Sequence, residues 1–195
     1  MVLFSKLRRY LRISGANEIA RRYLVMNGFD GALVTLGLIM GSYVTGIFSP
    51  RLIVGAGIGA STAMAISGAW GAFLAERAER SRKLQELEDA MFTQLNNTVL
   101  RRASLVATIF VAAVDAFAPL ATALISLSPF FLALHGFINA DSALVPSLIL
   151  NMATLFTLGI FLGKVSRSNV ILQGAIMVLA GLITAGLLIL IGTAT

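Results

Sequence analysis

Apolar and polar positions divide this chain into five long apolar stretches, at about 23–48, 52–75, 103–127, 146–163 and 170–192, with charged or polar segments between them. About 20 apolar residues in a helix are enough to cross a bilayer, so the pattern predicts five transmembrane helices. Residues 1–22 form a basic arm before the first span. In it Leu3, Phe4, Leu7 and Leu11 share one helical face and Lys6, Arg8, Arg9 and Arg12 fall among the rest, which predicts an amphipathic helix in the headgroup region. Ser14–Gly15 breaks that helix, and Asn17 can cap the next one. Between the second and third spans, in 76–102, Leu84, Leu87, Met91, Leu95 and Val99 recur at helical spacing. The second span is therefore expected to continue outside the membrane as an amphipathic helix, supported by the pairs Glu76–Arg80 and Glu79–Lys83. Pro119 and Pro129 are expected to interrupt the third span, residues 130–144 to form a connection, and Pro146 to stand in the first turn of the fourth span.

Composition agrees with this class. Hydrophobic residues make up 57% of the chain and charged residues 12%, and the mean hydropathy is +0.89; a soluble domain is nearer half apolar and a quarter charged. The absence of cysteine excludes disulfides and thiolate metal sites, and the single histidine, His135, argues against a His-rich metal cage. The N-terminal arm does not read as a cleavable signal peptide, because arginines continue to Arg22 without a short apolar core and cleavage site before the first span.

The net charge of +6 would suit a nucleic-acid ligand, but its distribution points to topology. Six of the fifteen Lys and Arg lie in the N-terminal arm, six in 76–102 and two in 164–169, leaving only Arg51 for the opposite side. This positive-inside bias places the N-terminus in the cytoplasm and the C-terminus outside. The expectation is an all-α, multi-pass protein of the cell membrane, whose surroundings are lipid and not nucleic acid.

The chemistry lies in polar residues within apolar stretches. An acid inside a span is costly and marks a functional site by default, and Asp30 stands in the run NGFDGALVTLGLIMG, Asn27–Gly41. At 1.5 Å of helix per residue, Asp30 lies on the order of 12 Å from the cytoplasmic edge. Ser67 falls at a similar level, with Met64 one turn deeper, while Asp115 and Asn151 lie roughly 20 Å in. Pro119 has no N–H to offer the carbonyl of Asp115 four residues earlier, which leaves both oxygen-bearing groups of Asp115 for an ion, a water or a neighbouring hydroxyl. These residues together read as a polar pathway. The glycines and alanines of the second span (Gly55, Gly57, Gly59, Ala60, Gly68, Gly71) suit close helix packing, within the chain or across a dimer. No Ser/His/Asp grouping assembles, since His135 and Asp141 fall in the external connection, and no phosphate loop is present. An enzyme is not expected.

The segment DGALVTLGLIMG, Asp30–Gly41, resembles the first span of the vacuolar iron transporter family, with its Asp-Gly pair, a Thr and spaced glycines. SGAWGAFLA (Ser67–Ala75) is similar to the end of that family's second helix, Pro119 to Pro129 to its proline-broken third and LFTLGIFLGK (Leu155–Lys164) to its fourth. The resemblance implies a five-helix homodimeric carrier that exports ferrous iron or manganese from the cytosol in exchange for protons, with the ion as cargo and no resident cofactor. It gives Asp30 the role of transport aspartate and puts Glu76 and Glu79 at the start of the cytoplasmic metal-collecting helices. The chain departs from the family in having Gly68 where a methionine follows the serine, Ala60 and Ala72 in place of acids, and a cytoplasmic segment only about one helix long. As a transporter, the chain would hold its cation with Asp30, Asp115, Met64 and Asn151, with Thr35 and Ser67 as further polar groups along the path. Losing the thioether shifts the set toward harder cations. The alternative is a membrane scaffold or assembly subunit that keeps the fold without transporting.

Overall fold

The computed structural model describes residues 2–96 and 98–194 and is all-helical over them. The helices are α1 (Val2–Ile13), α2 (Ala16–Val44), α3 (Pro50–Met91), α4 (Val99–Leu134), α5 (Ala140–Ser166) and α6 (Val170–Ala194). By length and composition α2 to α6 can each cross a membrane, so the five expected spans are present as five helices. The side chains of Leu3 and Phe4, expected on the apolar face of α1, lie outside the described residues.

Several boundaries differ from the hydropathy pattern, each for a local reason. The α1–α2 break falls at Ser14–Gly15 as expected. Gly15 takes a left-handed φ of +63° and α2 begins at Ala16, so Asn17 sits inside the first turn and does not cap it. The charged extension of α3 is continuous with its span but ends at Met91, where Phe92 turns left-handed with φ 51°. Leu95 and Val99 therefore do not continue that helix, although Leu95 is buried. Its N–H donates to Glu88 Oε1 at 2.8 Å.

The prolines do not interrupt α4, which runs through Pro119 and Pro129 to Leu134. Residues 130–134 are thus helix and not connection. Pro129 removes the amide that would bond the Ile125 carbonyl, and the hydroxyl of Ser128 donates to that carbonyl at 2.7 Å. Pro146 likewise lies inside α5, which starts at Ala140 with Asp141 in its first turn.

The contacts divide the chain into two compact units. The first comprises Met1–Leu24 and Ile66–Phe117. Its core is built of small side chains, Ala16, Ala20, Ala72, Ala107 and Ala112 with Val111, against which Leu11 of α1 packs. The second comprises Val25–Ala65 and Ala118–Thr195. Its core is Ile39, Ile53, Val54, Leu127 and Phe130, with Phe48 set edge-on to Phe130 at 5.7 Å between ring centroids. In this unit α5 buries one residue in four: Ala143, Ser147, Asn151, Leu155, Gly159 and Gly163. The glycine end of that stripe admits α6 at backbone distance, since a Cβ on Gly159 would lie 2.5 Å from the Gly174 Cα. Large apolar residues elsewhere face outward (Trp70 is 69% exposed, Ile171 68%), as lipid contact requires.

Candidate ion site

The Asp30–Gly31 pair performs two tasks on different sides of α2. Gly31 is buried where α4 crosses, and a Cβ there would lie 2.6 Å from both the Pro119 Cα and the Thr122 Oγ1. One residue turns a helix by about 100°, so this close approach leaves Asp30 pointing away from it, and Asp30 is exposed in the single chain. One turn on, Thr35 is buried and its hydroxyl donates to the Gly31 carbonyl at 2.8 Å. Its proton is spent on its own helix, and only oxygen lone pairs remain to a ligand.

In the same unit Asn151 ties three helices together. Its Nδ2 donates to the Ala32 carbonyl of α2 at 2.9 Å and to the Ser126 Oγ of α4 at 3.0 Å. Ser147, one turn before Asn151, donates its hydroxyl to the Ser126 carbonyl. Asn151 is fully buried, and its Oδ1 has no hydrogen-bond partner. An unpartnered buried carbonyl oxygen is costly and is the atom that a cation or a polar cargo would use. Ser126 and Ser147 were not among the candidates read from the sequence. Their signal was the four-residue spacing Ser147–Asn151 on α5 and Thr122–Ser126 on α4.

Met64 is half-buried in this second unit, whereas Ser67, exposed, belongs to the first. In the first unit the two glutamates at the start of the α3 extension have different surroundings. Glu76 is buried and holds Arg80 at 3.1 Å in an ion pair within α3. Arg80 donates in turn to the Ser14 carbonyl at 3.2 Å, fastening the α1–α2 corner to α3. Glu79 is exposed between Lys83 at 3.2 Å and Arg82 at 3.3 Å. The hydrogen bond from Lys83, followed by the charge of Arg82, holds its carboxyl below the usual glutamate range. Asp115 is buried, and with Glu76 lies within electrostatic reach of the Tyr23 hydroxyl. Asp115 and Glu76 thus each act electrostatically on Tyr23, and Asn151 is joined to the α2 backbone two residues past Asp30. Among the described residues no three His, Asp or Glu side chains converge to hold a metal ion.

A family model described as the VIT family matches residues 21–112, which include the Asp30–Gly41 and Ser67–Ala75 segments. An uncharacterized protein of Methanocaldococcus jannaschii is 30% identical over 171 residues, covering 86% of this chain and 86% of the relative. That family is one of membrane transporters, and its membership points to metal or other ion transport in a multi-pass membrane protein. With five apolar helices and an acid carried on the first of them, the chain belongs to the VIT family.

Proposed function

We propose that this protein carries a divalent metal cation, iron or manganese, out of the cytosol in exchange for protons, and that it works as a homodimer. The observation that carries the proposal is the exposure of Asp30 on an apolar helix. A carboxylate facing hydrocarbon costs a few kcal/mol at least, and a second copy of the chain removes that cost. Twofold pairing brings the same patch of each copy together, so two Asp30 carboxylates meet and offer a cation the oxygens that one chain lacks. Residues Asn151, through Oδ1, and Asp115 serve further along the path, and Glu79 gathers ions at the cytoplasmic mouth. Met64 and Ser67 are half-buried and exposed respectively, available as a soft and a hydroxyl contact.

The test is uptake by purified protein in liposomes across a panel of divalent cations, with and without a pH gradient. Manganese or iron should enter faster with the gradient, and Asp30→Asn should abolish that entry. Unchanged uptake in Asp30→Asn sinks the assignment. A scaffold without transport is the competing reading, favoured by the lack of a converged acidic cluster among the described residues of one chain. On that reading Asp30→Asn affects only stability, and no cation binds to the wild type.

A further inference from the structure

Within the first unit the charged ends of α3 and α4 enclose a cleft of about 520 Å³ lined by none of the residues assigned to the ion path. Its walls include Arg77, Ser81 and Glu88 from α3 and Arg101, Arg102 and Leu105 from α4. Of the acids of α3, Glu76 pairs with Arg80, Glu79 with Lys83 and Arg82, and Glu86 with Arg82, while Asp89 does not line the cleft. Glu88 accepts the Leu95 N–H, and Arg101 donates to the Asn96 side chain. Among the described residues Arg77 and Arg102 have no ion-pair partner. Three arginines against one glutamate leave the cleft with two positive charges.

The cleft also continues into an apolar track. Arg101, Leu105 and Ile109 follow at every fourth residue of α4, within about 80° of rotation about the helix axis, and all are exposed, so one strip of the helix runs from guanidinium to hydrocarbon contact. Both arginine groups stand where the apolar stretches of α3 and α4 end, at the level of lipid headgroups. A soluble anion would use the arginines but not the track. Guanidinium forks match phosphate oxygens in pairs, and basic pockets beside membrane helices hold anionic headgroups. We propose that this cleft is a stoichiometric site for an anionic phospholipid carrying two negative charges on its headgroup. The phosphate sits between Arg77 and Arg102, and an acyl chain lies along Leu105 and Ile109.

Lipid retention by the full chain, read by native mass spectrometry from detergent micelles, tests this with phosphatidic acid, phosphatidylglycerol and phosphatidylcholine as probes. One phosphatidic acid per chain should be retained, phosphatidylglycerol less and phosphatidylcholine least. The double variant Arg77→Gln/Arg102→Gln should weaken phosphatidic acid retention about thirtyfold, the loss expected of two arginines near an anionic surface. The pair Arg8→Gln/Arg9→Gln on α1 should leave it unchanged. If the double variant does not fold, Ser81→Asp, which adds one carboxylate on an exposed position of the cleft, should weaken retention about fivefold. Equal losses in the α1 pair would mean diffuse attraction by any basic segment, and would overturn the site. So would undiminished retention in the cleft variants, or displacement of the lipid by millimolar inorganic phosphate.

Discussion

Replacing Gly31 by alanine adds one methyl group at the tightest point of the α2–α4 crossing. The new Cβ would sit 2.6 Å from the Pro119 Cα and the Thr122 Oγ1, where ordinary contact begins at 3.4 Å. The two helices must separate locally by about 0.8 Å, and because one neighbour is backbone the clash has no rotamer escape. Overpacking of this kind costs about 1–3 kcal/mol, with the backbone clash at the upper end, and the better helix propensity of alanine returns about 1 kcal/mol. The net loss is about 2 kcal/mol, or about 4–8 °C in melting midpoint for a chain of this size. Gly37 is the internal control, since a Cβ there has nothing within 4 Å in the single chain. Thermal unfolding in detergent at protein concentrations that hold the single chain should show Gly31→Ala melting well below wild type and Gly37→Ala no lower. An unchanged or raised midpoint for Gly31→Ala would refute the close crossing, and with it the account of why a glycine follows Asp30.

The other expectations concern the buried polar groups and the charged extension. Asn151→Ala deletes two hydrogen bonds across three helices and should cost about 2 kcal/mol, read as an earlier melt, whereas Thr157→Ala, exposed on the same helix, should melt with wild type. Glu76→Gln leaves the Arg80 guanidinium buried opposite a neutral amide and should cost about 3 kcal/mol, while Glu79→Gln, at an exposed pair, should move the midpoint far less. Equal effects at 76 and 79 would contradict the difference in their surroundings. The carboxyl of Glu79 is lowered in the folded chain, so its contribution is present above the ordinary value of 4.5 and is lost as pH falls through the lower folded value. A carbon-detected carboxyl titration should find that midpoint below 4.5 and should move it upward in Lys83→Ala; a midpoint insensitive to Lys83 would count against the pairing.

Hydropathy alone located the five apolar helices because each span must satisfy its own backbone in lipid, and only a long apolar helix does so. Helix ends were less legible. Leu95 and Val99 keep the period of α3 by coincidence, and the stop depends on Phe92 adopting a positive φ, which nothing in the pattern required. The prolines misled for a related reason: at Pro129 a hydroxyl one residue away takes up the carbonyl that the missing amide leaves. Asp30 and Asn151 stood out because polar atoms are rare in such surroundings, but which way each faces is a tertiary property. The sequence could pair Glu76 with Arg80, four residues apart. It could not disclose that Arg80 also reaches Ser14, because that contact joins residues 66 apart in the chain.

The Ser128 hydroxyl on the Ile125 carbonyl makes residues 128 and 129 a single unit of inheritance. Ser128→Ala alone would leave a bare carbonyl on a lipid-facing stretch of α4, whereas Pro129→Ala alone would restore the amide and make the hydroxyl redundant. The serine is therefore indispensable only while the proline is present, and neutral once it is gone. The two positions are expected to be strongly non-additive, with the double alanine variant more stable than Ser128→Ala. A chain drifting under mutation loses least by shedding the proline first and the serine later.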